Sequence, residues 1–289
     1  MNKGVVTGVG GPAGRAVASI FRSSEFTVIG TDIAAVDASL DGFFLVPPGD
    51  TREFPEVMLR ILERERPTLF IPTVTEELPQ ASRMKSIRRG LGIKIYSPDF
   101  EAVRISNDKY LTAKTLPIFG IETPRTLADS EVNSTAEAGE ILGYPFIAKP
   151  GIGRGGQCVN VCLNRLYAAR ERREGLVYQE FLGGDEYDVS LFAYPVGGPA
   201  VARVLLKTNL RGGIVKNPTP VEVVHEAHVA ELAVKTAAAL ELEGLIDIDI
   251  RKGSDGTPGV LETNASVGVN VLRAEGVLES MLMHAMKHE

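Results

Sequence analysis

Short apolar runs alternate with amphipathic stretches through the first hundred residues. The runs are rich in valine, isoleucine, leucine and phenylalanine and are bounded by glycine, proline or charged residues, as is typical of buried strands. The predicted strands are 4–8, 26–30, 43–46, 68–71 and 93–96. The predicted helices are 14–21, 53–66 and 76–89. Strands that alternate with helices predict βαβ units and a parallel sheet over residues 1–97.

From Pro98 onward the pattern changes to longer β-like runs with few helices between them. The predicted helices are 99–119 (with a cap expected at 106–107), 134–142, 225–242 and 271–287. The predicted strands are 145–149, 157–163, 176–181, 186–195, 199–207, 244–251 and 258–263. Runs of strands with few helices indicate antiparallel pairing and an α+β unit, which differs from the first hundred residues.

Composition narrows the class of protein without indicating an activity. The chain has 289 residues, 44% of them hydrophobic, which suits one large or a few small hydrophobic cores. The net charge of −6 argues against a nucleic-acid-binding protein, which normally presents a basic field. No run approaches the roughly 18 apolar residues of a membrane span, and two cysteines cannot build a disulfide framework. We therefore expect a cytoplasmic protein that binds neither nucleic acid nor membrane.

The glycine-rich stretch GVGGPAG, residues 8–14, joins the first predicted strand to the first predicted helix. Together with Asp32 at the end of the next strand, it is close to the fingerprint of a dinucleotide-binding site. The alternative interpretation is a tight turn between strand and helix, and Pro12 inside the stretch is unusual for a cofactor loop.

A second glycine-rich stretch, FIAKPGIGRGGQCVNV, lies between two predicted strands. Lys149 ends the first strand, and the loop that follows contains Arg154, Gly155 and Gly156. A lysine at a strand end and a loop with exposed N–H groups can neutralise a polyphosphate. The alternative is a flexible hairpin whose lysine faces solvent.

The segment QEFLGGDEYD contains a predicted strand end followed by a turn. Gln179 and Glu180 end the strand, Phe181 and Leu182 form an apolar pair, and Glu186 follows the two glycines. Backbone groups at such a hinge can bind an adenine edge, and a carboxylate a few residues later can accept both ribose hydroxyls.

The segment IDIDIRKGSDGTPGVLETN predicts two adjacent strands joined by the turn SDGT. Asp249 lies on the first strand, and Glu262 and Asn264 lie two residues apart on the second, so the latter two share a face. Three oxygen ligands on one face can bind a hard cation such as Mg²⁺ together with phosphates. The alternative is a hairpin with two solvated carboxylates.

The order of these segments resembles the ATP-grasp superfamily, and within it the carbamoyl-phosphate-synthase-like and amino-acid-ligase branch. The resemblance spans about residues 99–270 and rests on SNDKYLTAKTLPIFGIETP, GYPFIAKPGIGRGGQCV, YQEFLGGDEYDVSL and GVLETNAS. It implies an α/β, Rossmann-like pre-ATP-grasp domain followed by an α+β ATP-grasp fold. The implied domains are the Rossmann-like one at 1–98, a first grasp subdomain with the phosphate loop at 99–178, and a second with the adenine hinge and the metal site at 179–289.

For the nucleotide, the resemblance implies that Lys109 and Lys149 contact the α and β phosphates and that the loop 151–156 closes over the triphosphate. It also implies backbone contacts from Glu180 and Leu182 to adenine. The ribose ligand would be Glu186. The implied ligands of two Mg²⁺ ions are Asp249, Glu262 and Asn264. The implied contacts to the γ-phosphate and the acyl phosphate are Arg203, Lys207 and Arg211.

One segment departs from the pattern of many relatives. They follow the metal-binding asparagine with Pro-Arg, whereas this chain has Ala265 and Ser266, and the next cation is Arg273. This departure leaves the mode of substrate binding open.

The resulting hypothesis is an ATP- and Mg²⁺-dependent ligase that activates a small carboxylate as an acyl phosphate for attack by an amine. Base rates favour a homodimer among possible oligomers. Two alternatives remain open at this stage. One is an NAD(P)-dependent oxidoreductase that uses GVGGPAG and Asp32, and the other is a nucleotide-binding regulator without catalytic activity.

Overall fold

The computed structural model describes residues 2–36, 39–87, 92–153, 158–169, 174–195, 198, 200–210 and 220–287. Three sheets organise this part of the chain. None of its helices combines the length and the apolar character that a membrane crossing requires.

The first sheet is parallel, as the alternation of strands and helices predicted, and its strand order is β3-β2-β1-β4-β5. Its strands are β1 (Lys3–Thr7), β2 (Thr27–Asp32), β3 (Gly42–Leu45), β4 (Leu69–Ile71) and β5 (Lys94–Ile95). Its helices are α1 (Pro12–Ser23), α2 (Phe54–Glu65) and α3 (Leu78–Ile87). Successive residues of β1 point to opposite faces, so Val5 packs in the core beside α2 while Val6 packs in the core beside α1.

The remaining two sheets are antiparallel, which confirms the second part of the fold prediction. The smaller sheet has the order β6-β9-β7-β8, formed by β6 (Thr126–Ala128), β7 (Phe146–Pro150), β8 (Asn160–Cys162) and β9 (Leu176–Glu180). The larger has the order β12-β11-β10-β13-β14, formed by β10 (Glu186–Ala193), β11 (Ala200–Lys207), β12 (Val221–Val224), β13 (Gly244–Lys252) and β14 (Pro258–Asn264). The helices are α4 (Phe100–Asn107), α5 (Lys109–Thr115), α6 (Thr135–Leu142), α7 (Arg165–Ala168), α8 (Ala227–Ala239) and α9 (Val277–Lys287).

The predicted helix 99–119 is in fact divided at Asp108. Its backbone is extended there, and its side chain accepts hydrogen bonds from the N–H groups of Tyr110 at 2.9 Å and Leu111 at 3.1 Å. Asp108 is therefore the N-cap of α5, and the cap expected at 106–107 was wrong by one to two residues. The break matters for the site because it starts α5 at Lys109.

The predicted helix 271–287 was also too long. It begins only at Val277, because Gly276 adopts a left-handed backbone with φ of +87°. The helix packs Leu278 and Met281 into the same core as Val6 and Val17 of the first sheet. The last helix of the chain therefore holds the parallel sheet against the larger antiparallel sheet.

The larger sheet has one apolar and one polar face. Tyr187, Val189 and Leu191 of β10 point into a core that includes Val229 and Ala233 of α8. Glu186, Asp188 and Ser190 of the same strand point to the opposite face, which bears the candidate site, while Phe192 on that face packs into the core beside α9.

Candidate active site

The polar face of the larger sheet collects charged residues from four neighbouring strands. Residues directly opposite each other in an antiparallel pair point to the same face. The opposite pairs are Glu186 with Arg251, Asp188 with Asp249, Ser190 with Asp247, Ser190 with Arg203, Asp249 with Glu262, and Asp247 with Asn264.

The predicted metal ligands lie together on this face. Asp249 of β13 is directly opposite Glu262 of β14, and Asn264 lies two residues further along the same strand. Like charges directly opposite each other destabilise a sheet unless a cation neutralises them. Burial, together with the neighbouring Glu262 carboxylate and against the influence of Lys207, raises the pKa of Asp249 to about 7. Two carboxylates and an amide oxygen in this arrangement fit the oxygen ligands that Mg²⁺ prefers.

Two lysines approach the Glu262 carboxylate from other elements. The Nζ of Lys109, at the start of α5, lies 3.3 Å from its Oε2, and the Nζ of Lys149, on β7 of the smaller sheet, lies 4.0 Å from the same oxygen. Burial lowers the pKa of Lys149 even though Glu262 favours its charged form. The site therefore lies between the two antiparallel sheets, where Lys109 and Lys149 face the carboxylates of the larger sheet.

Lys109 is also tied to the beginning of the glycine-rich loop. Its backbone N–H donates to the Gly151 carbonyl at 3.0 Å, and its Nζ donates to the Gly153 carbonyl at 2.7 Å. The loop residues Arg154, Gly155 and Gly156, and likewise Arg211, lie outside the described residues.

Lys207 is the centre of a buried ion network. Its Nζ donates to Oε1 of Glu186 at 3.1 Å and also contacts Oδ1 of Asp249. Although burial opposes its charge, the carboxylates of Asp249 and Glu186 hold the pKa of Lys207 well above its usual range. Arg251 completes the network, since its Nη1 lies 3.2 Å from Oε2 of Glu186 and its guanidinium lies 4.8 Å from the centre of the Phe181 ring. Glu186 is thus held in a fixed position by two cations.

The predicted adenine hinge lies at the end of β9. The backbone N–H of Glu180 donates to the Arg125 carbonyl at 2.9 Å, while its carboxylate accepts from the Arg125 N–H at 3.2 Å. The side chain of Gln179 is buried and donates to the Thr126 hydroxyl at 3.1 Å. These bonds anchor the strand end, and half-buried Phe181 and Leu182 connect it to Gly183. Contact with adenine remains a prediction.

Two arginines of interest lie at the edge of the site: Arg203, an implied contact of the γ-phosphate, and Arg273, the next cation after Asn264. Arg203 is opposite Ser190 but is exposed, and its Nη1 donates to the neighbouring Ala202 carbonyl at 3.0 Å. Arg273 ends a short 3₁₀ turn at Val271–Arg273 and is also exposed. The structure therefore does not bring either guanidinium into the buried network around Lys207.

The glycine turn GVGGPAG is held by Asp32 itself. Oδ2 of Asp32 accepts a hydrogen bond from the Gly10 N–H at 2.8 Å, and Oδ1 accepts one from the Ala34 N–H at 3.3 Å. Because this carboxylate stabilises its own loop, the geometry favours the interpretation of the stretch as a tight turn.

Sequence reasoning missed three residues of the polar face, namely Asp188, Asp247 and Arg251. Their signal is present in EYDVSLFA and GLIDIDIRK, where charged residues alternate with apolar ones at the period of a strand. Burial, together with the nearby Asp188 carboxylate, raises the pKa of Asp247 well above its usual range. Within the described residues, no group of three or more His, Cys, Asp or Glu side chains is arranged to hold a metal ion by itself.

Comparison with known sequences identifies a family. The model of the family described as the ATP-grasp domain matches residues 106–269, more than half of the chain. The carbamoyl phosphate synthase large chain of Archaeoglobus fulgidus is 23% identical over 114 residues, which are 38% of this chain and 11% of that protein. The large chain of Methanothermobacter thermautotrophicus is 27% identical over 104 residues, 35% of this chain and 10% of that protein. The match thus spans about a tenth of these curated relatives.

Solved structures resemble the chain over nearly its whole length. The L-amino acid ligase from Bacillus licheniformis has a TM-score of 0.71 at 18% identity, over 94% of this chain and 69% of that one. Biotin carboxylase from Campylobacter jejuni, in a β,γ-ATP complex, has a TM-score of 0.75 at 15% identity, over 100% of this chain and 72% of that one. The biotin carboxylase domain dimer of Hydrogenobacter thermophilus 2-oxoglutarate carboxylase, solved with MgADP and bicarbonate, has a TM-score of 0.74 at 13% identity, over 100% and 70%. These likenesses show the fold.

Proposed function

Because the chain belongs to the ATP-grasp family, we propose that it is an ATP- and Mg²⁺-dependent ligase that activates a small carboxylate as an acyl phosphate for attack by an amine. The observation that carries the proposal is the convergence of Lys109 and Lys149 on Glu262, directly opposite Asp249. A polyphosphate with bound Mg²⁺ needs cations to neutralise the phosphates and oxygen ligands to hold the metal. The two lysines can provide the first, and the two carboxylates can provide the second.

In this proposal the nucleotide lies between the two antiparallel sheets. Adenine binds at the Glu180–Leu182 hinge and ribose binds Glu186, whose position Lys207 and Arg251 fix. Lys109 and Lys149 contact the α and β phosphates, and the loop 151–156 covers the triphosphate. A site whose charged groups are held before binding loses little free energy to reorganisation.

Asp249, Glu262 and Asn264 would hold Mg²⁺, with two ions expected. When bound, the metal would neutralise charge on the phosphates, a contribution of several kcal/mol to lowering the barrier. The chain's own cations would act beside it: Lys207 compensates Asp249, and Arg203 and Arg211 are proposed to contact the γ-phosphate and the acyl phosphate once substrate is bound.

The chemistry has two steps. An oxygen of the substrate carboxylate attacks the γ-phosphorus of ATP, the bond to the β-phosphate oxygen breaks, and ADP leaves. The amine nitrogen then attacks the acyl carbon, loses a proton, and displaces inorganic phosphate as the amide bond forms. The protein contributes positioning and charge neutralisation rather than a covalent intermediate of its own.

The parallel sheet at residues 3–95 is proposed to be a separate Rossmann-like domain that forms one wall of the substrate cleft. The bond from Asp32 to Gly10 supports a structural role for its glycine turn. A homodimer in the cytoplasm is proposed as well, because one structural neighbour was solved as a dimer. Small-molecule carboxylates and amines are the proposed substrates, without nucleic acid or membrane as partners.

Nucleotide preference tests the proposal most simply. A ligand that binds the folded state raises the melting temperature by mass action. ATP with Mg²⁺ should raise it, whereas NAD⁺ and NADP⁺ should not. A rise with the nicotinamide cofactors alone would instead support an oxidoreductase. ATP binding without turnover on broad pools of carboxylates and amines would support a nucleotide-binding regulator.

A further inference from the structure

A groove on the outer side of α8 has no role in the proposed reaction. It has a volume of about 620 Å³ and lies between α8, the 3₁₀ helix Leu116–Phe119 and the turn at Thr257 and Pro258. The other side of α8 packs Val229 and Ala233 against the apolar face of the larger sheet, whereas the candidate site lies on the polar face. The groove is therefore separated from the candidate site by the sheet and by α8 itself.

Large apolar side chains are exposed beside this groove. Ile118 is 79% exposed and Phe119 is 56% exposed, although both follow the buried Leu116 in the same 3₁₀ helix. Leu232 of α8 and the buried Ile121 continue the apolar surface into the groove. Neighbouring exposed apolar side chains with a polar rim are typical of an interaction surface, whereas single ones are common on any protein.

The outer face of α8 has the spacing of a helix–helix contact. Counted from His228, the residues that line the groove lie at positions i, i+3, i+4, i+7, i+10 and i+11, namely His228, Glu231, Leu232, Lys235, Ala238 and Ala239. This spacing puts their side chains on one face of the helix. The two alanines leave room for a neighbouring helix, since packed helices lie about 8–10 Å apart.

The charges at the centre of this face are free to pair with another molecule. Glu231 precedes Lys235 by four positions, a spacing that favours an ion pair along one helix. Both side chains are nevertheless exposed, and neither forms an ion pair with any residue that the structure describes. If a second α8 lies antiparallel to the first across a two-fold axis near residue 233, each Glu231 faces the Lys235 of the other copy. The face is therefore complementary to itself, as a two-fold interface requires.

The mixture of charges favours a second copy over another kind of partner. The groove carries Glu122 and Glu231 together with Lys235 and His228. A uniformly acidic or basic partner would meet like charges here, which costs binding free energy. A second copy of the chain offers the opposite charge at both positions of the Glu231 and Lys235 pair.

We propose that the outer face of α8, with Ile118 and Phe119, forms the two-fold interface of a homodimer. The two α8 helices lie antiparallel, and Ile118 and Phe119 of each copy cover the apolar surface of the groove in the other. A standard interface takes roughly 20–30 residues from each partner, and the groove with Ile118 supplies about half of that number. It therefore forms the centre of the interface, surrounded by a polar rim.

Analytical ultracentrifugation of the full chain tests the interface through an exchange of charges. The wild type should sediment as a dimer at micromolar concentration. Glu231→Lys and Lys235→Glu each bring like charges together twice in the dimer, so each should weaken association about tenfold or more. The double variant Glu231→Lys with Lys235→Glu restores opposite charges and should dimerise as the wild type does. A role confined to the folding of one chain would give no such recovery.

The apolar part of the interface is tested by Phe119→Asp. It should dissociate the dimer, because a carboxylate buried without a partner is costly. Leu166→Asp is the matched control, since Leu166 is 76% exposed on α7 and does not line the groove. It should remain a dimer. Both residues are exposed, so the melting temperatures of the two variants should stay close to each other.

Three results would overturn the inference. The first is a wild type that is monomeric at micromolar concentration, since the groove then serves another partner or none. The second is a dimer that Leu166→Asp dissociates while Phe119→Asp leaves it intact. The third is a double charge variant that associates as weakly as the single variants. None of these measurements requires ATP, so their outcome is independent of the proposed reaction.

Discussion

Replacement of Lys207 by methionine tests whether its ion network holds the site together. Its side chain is 8% exposed and contacts Glu186, 7% exposed, and Asp249. Methionine keeps most of the aliphatic volume but removes the charge. Breaking a buried ion pair from one side typically costs about 3–5 kcal/mol, because the other charge is left uncompensated. We expect a loss near the lower end, about 3 kcal/mol, because Arg251 still pairs with Glu186 and Asp249 can take up a proton.

Lys252→Met is the matched control on the same sheet. Lys252 pairs with Glu226 at 3.0 Å, but both side chains are substantially more exposed than those around Lys207. Exposed pairs contribute about 0–1 kcal/mol, so this variant should lose less than about 1 kcal/mol. Urea unfolding followed by far-ultraviolet circular dichroism, with EDTA present to remove metal, measures both losses.

The loss of unfolding free energy in Lys207→Met should also depend on pH. The pKa of Asp249 is already raised to about 7 in the presence of Lys207, which acts to lower it, so the variant should have a still higher value. At a pH between the two pKa values, folded wild type binds fewer protons at Asp249 than the folded variant does. The stability of the wild type relative to the variant therefore increases with pH. The difference in unfolding free energy should be larger at pH 8 than at pH 6. A loss no greater than that of Lys252→Met, with no change between these pH values, would refute the reasoning.

Two further predictions concern the wall of the site and the glycine turn. Gly268→Ala should lower the free energy of unfolding in urea by about 1–3 kcal/mol, because its methyl group would displace the Asp247 side chain. Gly183→Ala is the control and should have little effect, since a methyl group there would have no neighbour within 4 Å. Equal losses in the two variants would contradict the close approach of Gly268 to Asp247. Asp32→Ala should lower stability modestly, because the hydrogen bond to Gly10 is lost, but it should leave ATP turnover largely intact. A steady-state assay that shows a loss of ATP turnover at unchanged folding would contradict a structural role for Asp32.

The sequence predicted the strands that are marked by a run of large apolar residues. The parallel sheet, β10, β13 and β14 all formed at such runs. The three-residue strand β6 was missed because its sequence, Thr-Leu-Ala, contains a single large apolar residue, and it forms by pairing with β9. The division at Asp108 had a local signal, an Asp that caps α5, but the helical periodicity on both sides masked it.

The sequence indicated which residue types form the site, but it did not indicate which side chains contact each other. Spacing alone indicated that Glu262 and Asn264 share a face, and the structure puts Asp249 opposite Glu262. The partners of Lys207 are 21 and 42 residues away in sequence, so only the register of β10, β11 and β13 brings the three side chains together. The same holds for Asp188, which the strand register places opposite Asp249 and which the loop after β14 brings into contact with Asn270.

ATP-dependent phosphate release by the wild type and Glu262→Gln tests the central claim most directly. The enzyme is supplied with ATP, Mg²⁺ and pools of amino acids and other small carboxylates with amines, and Glu222→Gln, an exposed change on β12, serves as the control. The account predicts release by the wild type and the control, and a loss of about 100-fold or more in Glu262→Gln at unchanged folding, because the metal site contributes several kcal/mol to the barrier. Release by Glu262→Gln at near the wild-type rate would contradict it.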